Sequence, residues 1–135
     1  MRTLSTPIQV RFADVDMAGH VHNATYLHYF ETGRMEFLRE IADEGWDWRS
    51  QGLILARNEI DYKLPIRLHD TVKVITSLDK IGEKSFVLSY QIFGGKQGKS
   101  MCAEGSSVMV CMDYTQQKTI SIPEPWLERM NEWVT

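Results

Sequence analysis

At Ala24 the hydrophobic period of this chain changes, and that change constrains the fold more than any other feature. Before it, Ile8, Val10 and Phe12 alternate with Gln9 and Arg11. This period of two predicts a half-buried strand over Thr3–Phe12. After it, Leu27, Phe30, Phe37, Leu38 and Ile41 fall near one face of a helix. His28, Glu31, Glu36, Arg39 and Glu40 fall mostly on the other. Gly33 lies beside the apolar stripe, where it costs about 1 kcal/mol of helix propensity and so implies close packing against a sheet. Asn23 or Thr25 is the expected N-terminal cap, and Gly45 the expected end. Residues 13–23 follow neither period and hold Gly19, so they form a loop more particular than a simple turn.

Downstream the period returns to two. Strand patterns cover Leu53–Tyr62, Thr71–Ile81, Ser85–Phe93 and Ser100–Tyr114, with hairpin signals at 82–84 and 94–98. Pro65 closes the first of these runs. Gly45-Trp46-Asp47-Trp48 makes a turn whose tryptophans serve packing or an interface. Pro123–Val134 reads as a terminal helix with Trp126, Met130 and Trp133 or Val134 on one side. One long central helix followed by hairpin-linked strands predicts an α+β layer, with a five-stranded antiparallel sheet covering the helix. The 135 residues suit one domain, 1–135. A single sheet wrapped on one helix leaves edges exposed, and oligomerisation is the usual remedy.

Composition excludes some functions. The net charge of -3 gives no electrostatic footprint for nucleic acid. No apolar run is long enough to span a membrane, and MRTLSTPIQV lacks the apolar core of a signal peptide, so a cytoplasmic location is expected. Cys102 and Cys111 have no metal-ligand spacing and read as buried thiols in a strand. Neither a metal nor a cofactor is expected.

The chemistry concentrates in Arg11–Glu40. Asp14 and Asp16 stand two apart and point to opposite sides if extended. One carboxylate is therefore available to a pocket, as base or nucleophile, while the other makes turn hydrogen bonds, a role that suits Asp14. The first N–H groups of the helix lack internal partners and carry partial positive charge. They can hold a developing oxyanion. Gly19 lets the backbone approach a ligand. The constellation suits acyl transfer to water. His20 and His22 are further candidates as bases or as groups orienting Asp16. Glu31 and Arg34, three apart, are expected to form a surface pair.

The segment Asp14-Val15-Asp16-Met17-Ala18-Gly19-His20-Val21-His22-Asn23-Ala24-Thr25-Tyr26 resembles the catalytic loop of the hotdog-fold thioesterases. It looks most like their 4-hydroxybenzoyl-CoA and bacterial acyl-CoA thioesterase branch. Glu31 and Arg34 continue the pattern, and Pro65 and Asp70 extend it along the chain. The resemblance implies a central helix wrapped by an antiparallel sheet. It implies hydrolysis of an acyl-CoA thioester to a carboxylic acid and CoA, with Asp16 as the catalytic carboxylate. The carbonyl oxygen would rest on a backbone N–H at Asn23 or its neighbours, so that Gly19, Asn23, Ala24 and Tyr26 border the substrate. His20 and His22 would assist. Homodimers paired sheet edge to sheet edge, or homotetramers, are implied as well. The pattern also looks like the plant acyl-carrier-protein thioesterases, but Ala18 stands where their Asn would be. Another branch has a histidine where this chain has Asn23. An acyl-carrier-protein thioesterase and a non-catalytic acyl-thioester binding protein are the alternative expectations.

Overall fold

The computed structural model describes residues 1–134. Its elements run β1 (Thr3–Ile8), a 3₁₀ turn (Phe12–Asp14), α1 (Thr25–Ile41), β2 (Gly52–Tyr62), β3 (Val72–Ile81), β4 (Ser85–Gly94), β5 (Ser100–Asp113), β6 (Lys118–Thr119) and α2 (Glu124–Val134). The strands form one antiparallel sheet in the order β1-β3-β4-β5-β2, with β6 pairing the far end of β5. The sheet therefore has six strands where five were expected. The addition is a two-residue strand that returns after the 114–117 turn, too short to carry a hydrophobic period.

The concave face of the sheet holds α1 and α2 together, so the central helix does not fill it alone. α1 packs over β1, β3 and β4 and against α2. Phe30 stacks on Tyr90 with ring centroids 4.3 Å apart, and Phe37 meets Trp133 edge-on at 4.8 Å. Trp46 and Trp48 both reach the fully buried Trp126, at 5.2 and 5.4 Å, so these tryptophans pack within the chain. The expected face of α2 is confirmed, with Trp126, Met130 and Trp133 buried. Cys102 and Cys111 are buried free thiols, as their strand pattern implied.

Three boundaries differ from expectation. β1 ends at Ile8, and residues 12–14 wind into a 3₁₀ turn because the Asp14 carboxylate accepts the Arg11 N–H. At the start of α1 the capping residue is Ala24, and neither Asn23 nor Thr25 caps it with a side chain. The helix ends at Ile41 rather than near Gly45. Ala42 is extended there, and Arg129 from α2 donates to the Ile41 carbonyl and to Asp43. Gly45, with φ 81°, serves the following turn.

Arg34 corrects the expected surface pair. Its side chain is buried, with its guanidinium between the Tyr90 hydroxyl at 3.2 Å and Ser107 Oγ at 3.4 Å. Exposed Glu31 stands 3.7 Å away, and Ser107 donates onward to Asn58 of β2. Burial of a guanidinium needs such partners. Sequence spacing showed the i,i+3 pair but not the hydroxyls that β4 and β5 bring beneath it.

Strand β2 forms one edge of the sheet and exposes Ile54 and Leu55. Among the described residues, no helix is long and apolar enough to cross a membrane.

Gly33 is the point of closest approach between α1 and the sheet. A Cβ there would lie 2.5 Å from Thr76 Oγ1 and 3.0 Å from Val74 Cγ1. Both neighbours are β-branched and fully buried, so neither yields easily. Gly33→Ala should therefore destabilise the fold by about 1–2 kcal/mol, with overpacking outweighing the gain in helix propensity. Urea titration of the Gly33→Ala/Thr76→Ala pair should recover part of that loss.

Candidate active site

The loop between β1 and α1 is built around Asp14. Its carboxylate is 4% exposed and accepts from the Arg11 N–H at 3.0 Å, the Arg11 guanidinium and the Tyr29 hydroxyl at 2.8 Å. Burial pushes its pKa up, but the Arg11 N–H, the Tyr29 hydroxyl and the Arg11 guanidinium outweigh that and hold it below the usual carboxylate range. Burial and the same contact push the Tyr29 phenol above its ordinary range. The Asp14 carbonyl takes the His22 N–H at 2.8 Å, which ties the turn to the segment entering α1.

Asp16 sits on the small hairpin that follows. Val15 and Val21 pair as an antiparallel bridge, the Asp16 N–H donates to the His20 carbonyl at 2.8 Å, and the Gly19 N–H returns to the Asp16 carbonyl at 3.0 Å. Gly19 has φ 80°, a left-handed conformation that closes short hairpins and that a side chain rarely tolerates. Its role here is to shape the turn. Asp16 Oδ1 accepts from the Ala18 N–H at 2.9 Å and the His20 N–H at 3.2 Å. Oδ2 has no hydrogen-bond partner among the described residues. The His20 N–H lowers the Asp16 pKa; desolvation opposes it, and the Ala18 N–H and the charges of His22 and His20 add to the lowering. Asp16 is thus a carboxylate at neutral pH, held by one oxygen and open at the other.

Asp16, His20, Val21, Asn23 and Tyr26 line a cleft of about 270 Å³, closed on the far side by Tyr62, Lys63, Leu64 and Pro65. The helix-start N–H groups of Asn23 and Ala24 donate no hydrogen bond among the described residues, and Asn23 lines this end of the cleft. Tyr26 is buried, and its ring meets that of Tyr62 edge-on at 5.0 Å. The Tyr62 hydroxyl donates to the Asn23 carbonyl at 2.8 Å. His20 belongs to this cleft, and its backbone bridges to Arg67. His22 lies on an open surface with Phe12, Val15, Asp16, Met17 and Leu68, so Asp16 borders both this surface and the cleft. Asp16, His20, Asn23 and Tyr26 thus share the cleft, while His22 shares a second, open surface with Asp16 and Gly19. Neither imidazole is hydrogen-bonded among the described residues.

Tyr62 and Tyr29 are polar contributors that the sequence did not flag. Both read as ordinary members of apolar patterns, and only the tertiary pairing shows what their hydroxyls reach. The 65–67 segment is similar: the Val21 N–H donates to the Ile66 carbonyl at 2.8 Å, a pairing that Pro65 alone could not announce. No group of three or more His, Cys, Asp or Glu among the described residues is arranged to hold a metal.

The Asp14 clasp makes stability depend on pH. Its folded-state pKa is depressed, so its contribution is present above the unfolded carboxylate pKa and is lost as pH falls through the folded value. Tyr29→Phe removes one charge-assisted bond and should lower stability by about 1.5–3 kcal/mol at pH 7. The gap between wild type and variant should narrow below pH ~4, as read by denaturant titration across pH.

Comparison with known proteins extends these observations to the whole chain. Over 134 residues it is 26% identical to the long-chain acyl-CoA thioesterase FadM of Escherichia coli strain K12, covering 97% of this chain and 99% of that one. It is 23% identical over 120 residues to the acyl-CoA thioester hydrolase YbgC of Escherichia coli O6:H1, covering 87% and 88%. A crystal structure of a thioesterase from Thermus thermophilus, complexed with coenzyme A and Zn, superposes with a TM-score of 0.83 at 28% identity, over 96% of this chain and 92% of that one. The α+β sheet and helices described above are thus those of the hotdog thioesterase structures. The family model of the thioesterase-like superfamily matches residues 10–133, and the chain belongs to that superfamily.

Proposed function

We propose that this protein hydrolyses an acyl-CoA thioester to a free carboxylic acid and CoA, with Asp16 as the catalytic carboxylate. One observation carries this reading. Asp16, whose Oδ2 is free, and Asn23, whose N–H has no partner among the described residues, line the same cleft. A thioester carbonyl seated there has a base or nucleophile on its carbon and fixed dipoles on its oxygen. Attack by water activated by Asp16, or by Asp16 itself, gives a tetrahedral oxyanion held by the Asn23 N–H at the helix start. Collapse expels the CoA sulfur, which takes up the proton that Asp16 removed from water; on the nucleophilic route it takes one from solvent, and water then hydrolyses the Asp16–acyl anhydride to release the acid. The names of the relatives supply the acyl-CoA part of the reading. The ready carboxylate favours an enzyme over a binding module, because binding alone needs no anion beside the carbonyl.

We assign an assisting role to His20 from the cleft wall and to His22 from the open surface that Asp16 also borders. Gly19 acts through the turn it permits, and Tyr26 as a wall of the cleft. The assembly we propose is a homodimer joined through the β2 edges, with a tetramer as a further step. The exposed Ile54 and Leu55 on this edge strand support it.

Asp16→Asn keeps the acceptor for both loop N–H groups but loses the base. It should lower kcat by about 10²–10⁴-fold with little change in KM, measured on a panel of short, medium, long and aromatic acyl-CoAs. Near-normal turnover would remove Asp16 from the chemistry, and binding of the panel without hydrolysis would favour the binding-module alternative. The active form is the carboxylate, so activity falls as pH drops through its pKa. Because that pKa is depressed, kcat/KM should hold down to about pH 4, whereas histidine control would put the loss near pH 6–7. Ile54→Lys/Leu55→Lys should shift the protein from dimer to monomer in sedimentation equilibrium; an unchanged mass would reject the edge pairing.

A further inference from the structure

Asp16 stands between two recesses of unlike character. On one side is the cleft of about 270 Å³, with the polar groups of His20, Asn23, Tyr62 and Lys63 along its walls. On the other is an open hollow of about 920 Å³, where Phe12, Val15, Met17 and Leu68 present mainly hydrocarbon. Phe12 is 83% exposed and Met17 wholly so, and neither belongs to the hydrophobic core. Single exposed apolar residues are ordinary on a protein surface. Several sharing one hollow beside a free carboxylate mark a surface that receives a ligand.

An acyl-CoA thioester has two unlike arms that meet at its carbonyl. The CoA arm carries amides and then phosphates, so it needs hydrogen-bond partners and cations. The acyl arm of a fatty acid is hydrocarbon. Pockets that enclose a drug-sized ligand run to about 300–1,000 Å³, so the cleft is too small to take both arms. Lys63 on its wall is half exposed, 3.6 Å from Glu104, and suits the anionic arm. The hollow suits the other, because covering apolar surface is favourable in proportion to its area. Met17 is unbranched and adapts to chains of different shape. We infer that the acyl arm lies across the hollow, over Phe12, Val15, Met17 and Leu68, while the CoA arm takes the cleft. The inference rests on the reaction proposed above and names its substrate class, thioesters of long aliphatic acids. The hollow opens to solvent, so added methylenes extend along it and add to binding.

The test uses Phe12→Ser/Met17→Ser, which strips hydrocarbon from two exposed positions outside the core. The thioethers S-butyl-CoA and S-dodecyl-CoA resist hydrolysis and report binding alone, by calorimetry below the micelle concentration. Wild type should bind the dodecyl compound at least about 100-fold more tightly than the butyl one, and the double variant should shrink that ratio by about ten-fold. The ratio of kcat/KM for dodecanoyl-CoA over butanoyl-CoA should shrink by a similar factor. Chain-length ratios unchanged in the variant overturn the inference. So does their loss in Ala42→Trp instead, which fills a separate recess beside Met35, Leu38 and Trp48; the chain would then lie there. An oligomeric wild type whose double variant sediments as a monomer also overturns it, because the hollow would then be covered by a second copy. If wild type hydrolyses neither thioester yet the thioethers give the expected ratios, the reaction fails and the acyl seat stands. Failure of both thioethers to bind wild type overturns both.

Discussion

The buried carboxylate of Asp14 is the constraint on which the rest of the site depends. A charge at 4% exposure is tolerated only because three groups surround it: the Arg11 N–H, the Arg11 guanidinium and the Tyr29 hydroxyl. Those groups come from the turn and from the first turns of α1, so neutralising the charge also fixes the loop against the helix. The Asp14 carbonyl then receives the His22 N–H one residue before Asn23. Loop, hairpin and helix start are thereby referred to a single anchored anion. Asp16 occupies the far side of that anchor, where the chain turns outward and one carboxylate oxygen is left open.

A second polar system lies deeper along α1. Arg34, Tyr90, Ser107 and Asn58 link the helix to β4, β5 and β2 in turn. Each member comes from a different element, so the cluster specifies how the helix sits over the sheet in a way that apolar packing does not. Gly33, its neighbour in sequence, complements it by letting the two backbones close up beside Thr76. The helix is thus set in height by a missing side chain and set laterally by a buried cation.

Much of this was legible in the sequence because the two hydrophobic periods are well separated. The order strand, loop, helix, four strands and terminal helix follows from Ile8–Phe12, Leu27–Ile41 and the alternating runs after Leu53. The tight packing at Gly33 followed from its place beside the stripe, and the split of Asp14 from Asp16 from their spacing. What escaped depends on partners distant in the chain. Arg34 looked like half of a surface pair because hydroxyls on β4 and β5 carry no sequence mark. Ile41 ends the helix because Arg129, far along the chain, takes its carbonyl. Strand β6 has two residues and no period to detect. Tyr62 looked like one more aromatic of an alternating strand, and nothing in the spacing of His20 and His22 said that one would line the cleft and the other the open surface, with Asp16 at both.

The two unpartnered N–H groups at the start of α1 belong to the main chain, and this has an evolutionary consequence. No substitution short of proline deletes a backbone donor, so such a group is nearly indifferent to the identity of its own residue. That indifference is consistent with an alanine at position 24, where no side-chain chemistry is on offer. Selection can reach a donor of this kind only through the groups that aim it. Divergence of rate among related chains would then be written at the clasp and the hairpin, while the peptide itself stays invisible to comparison of side chains.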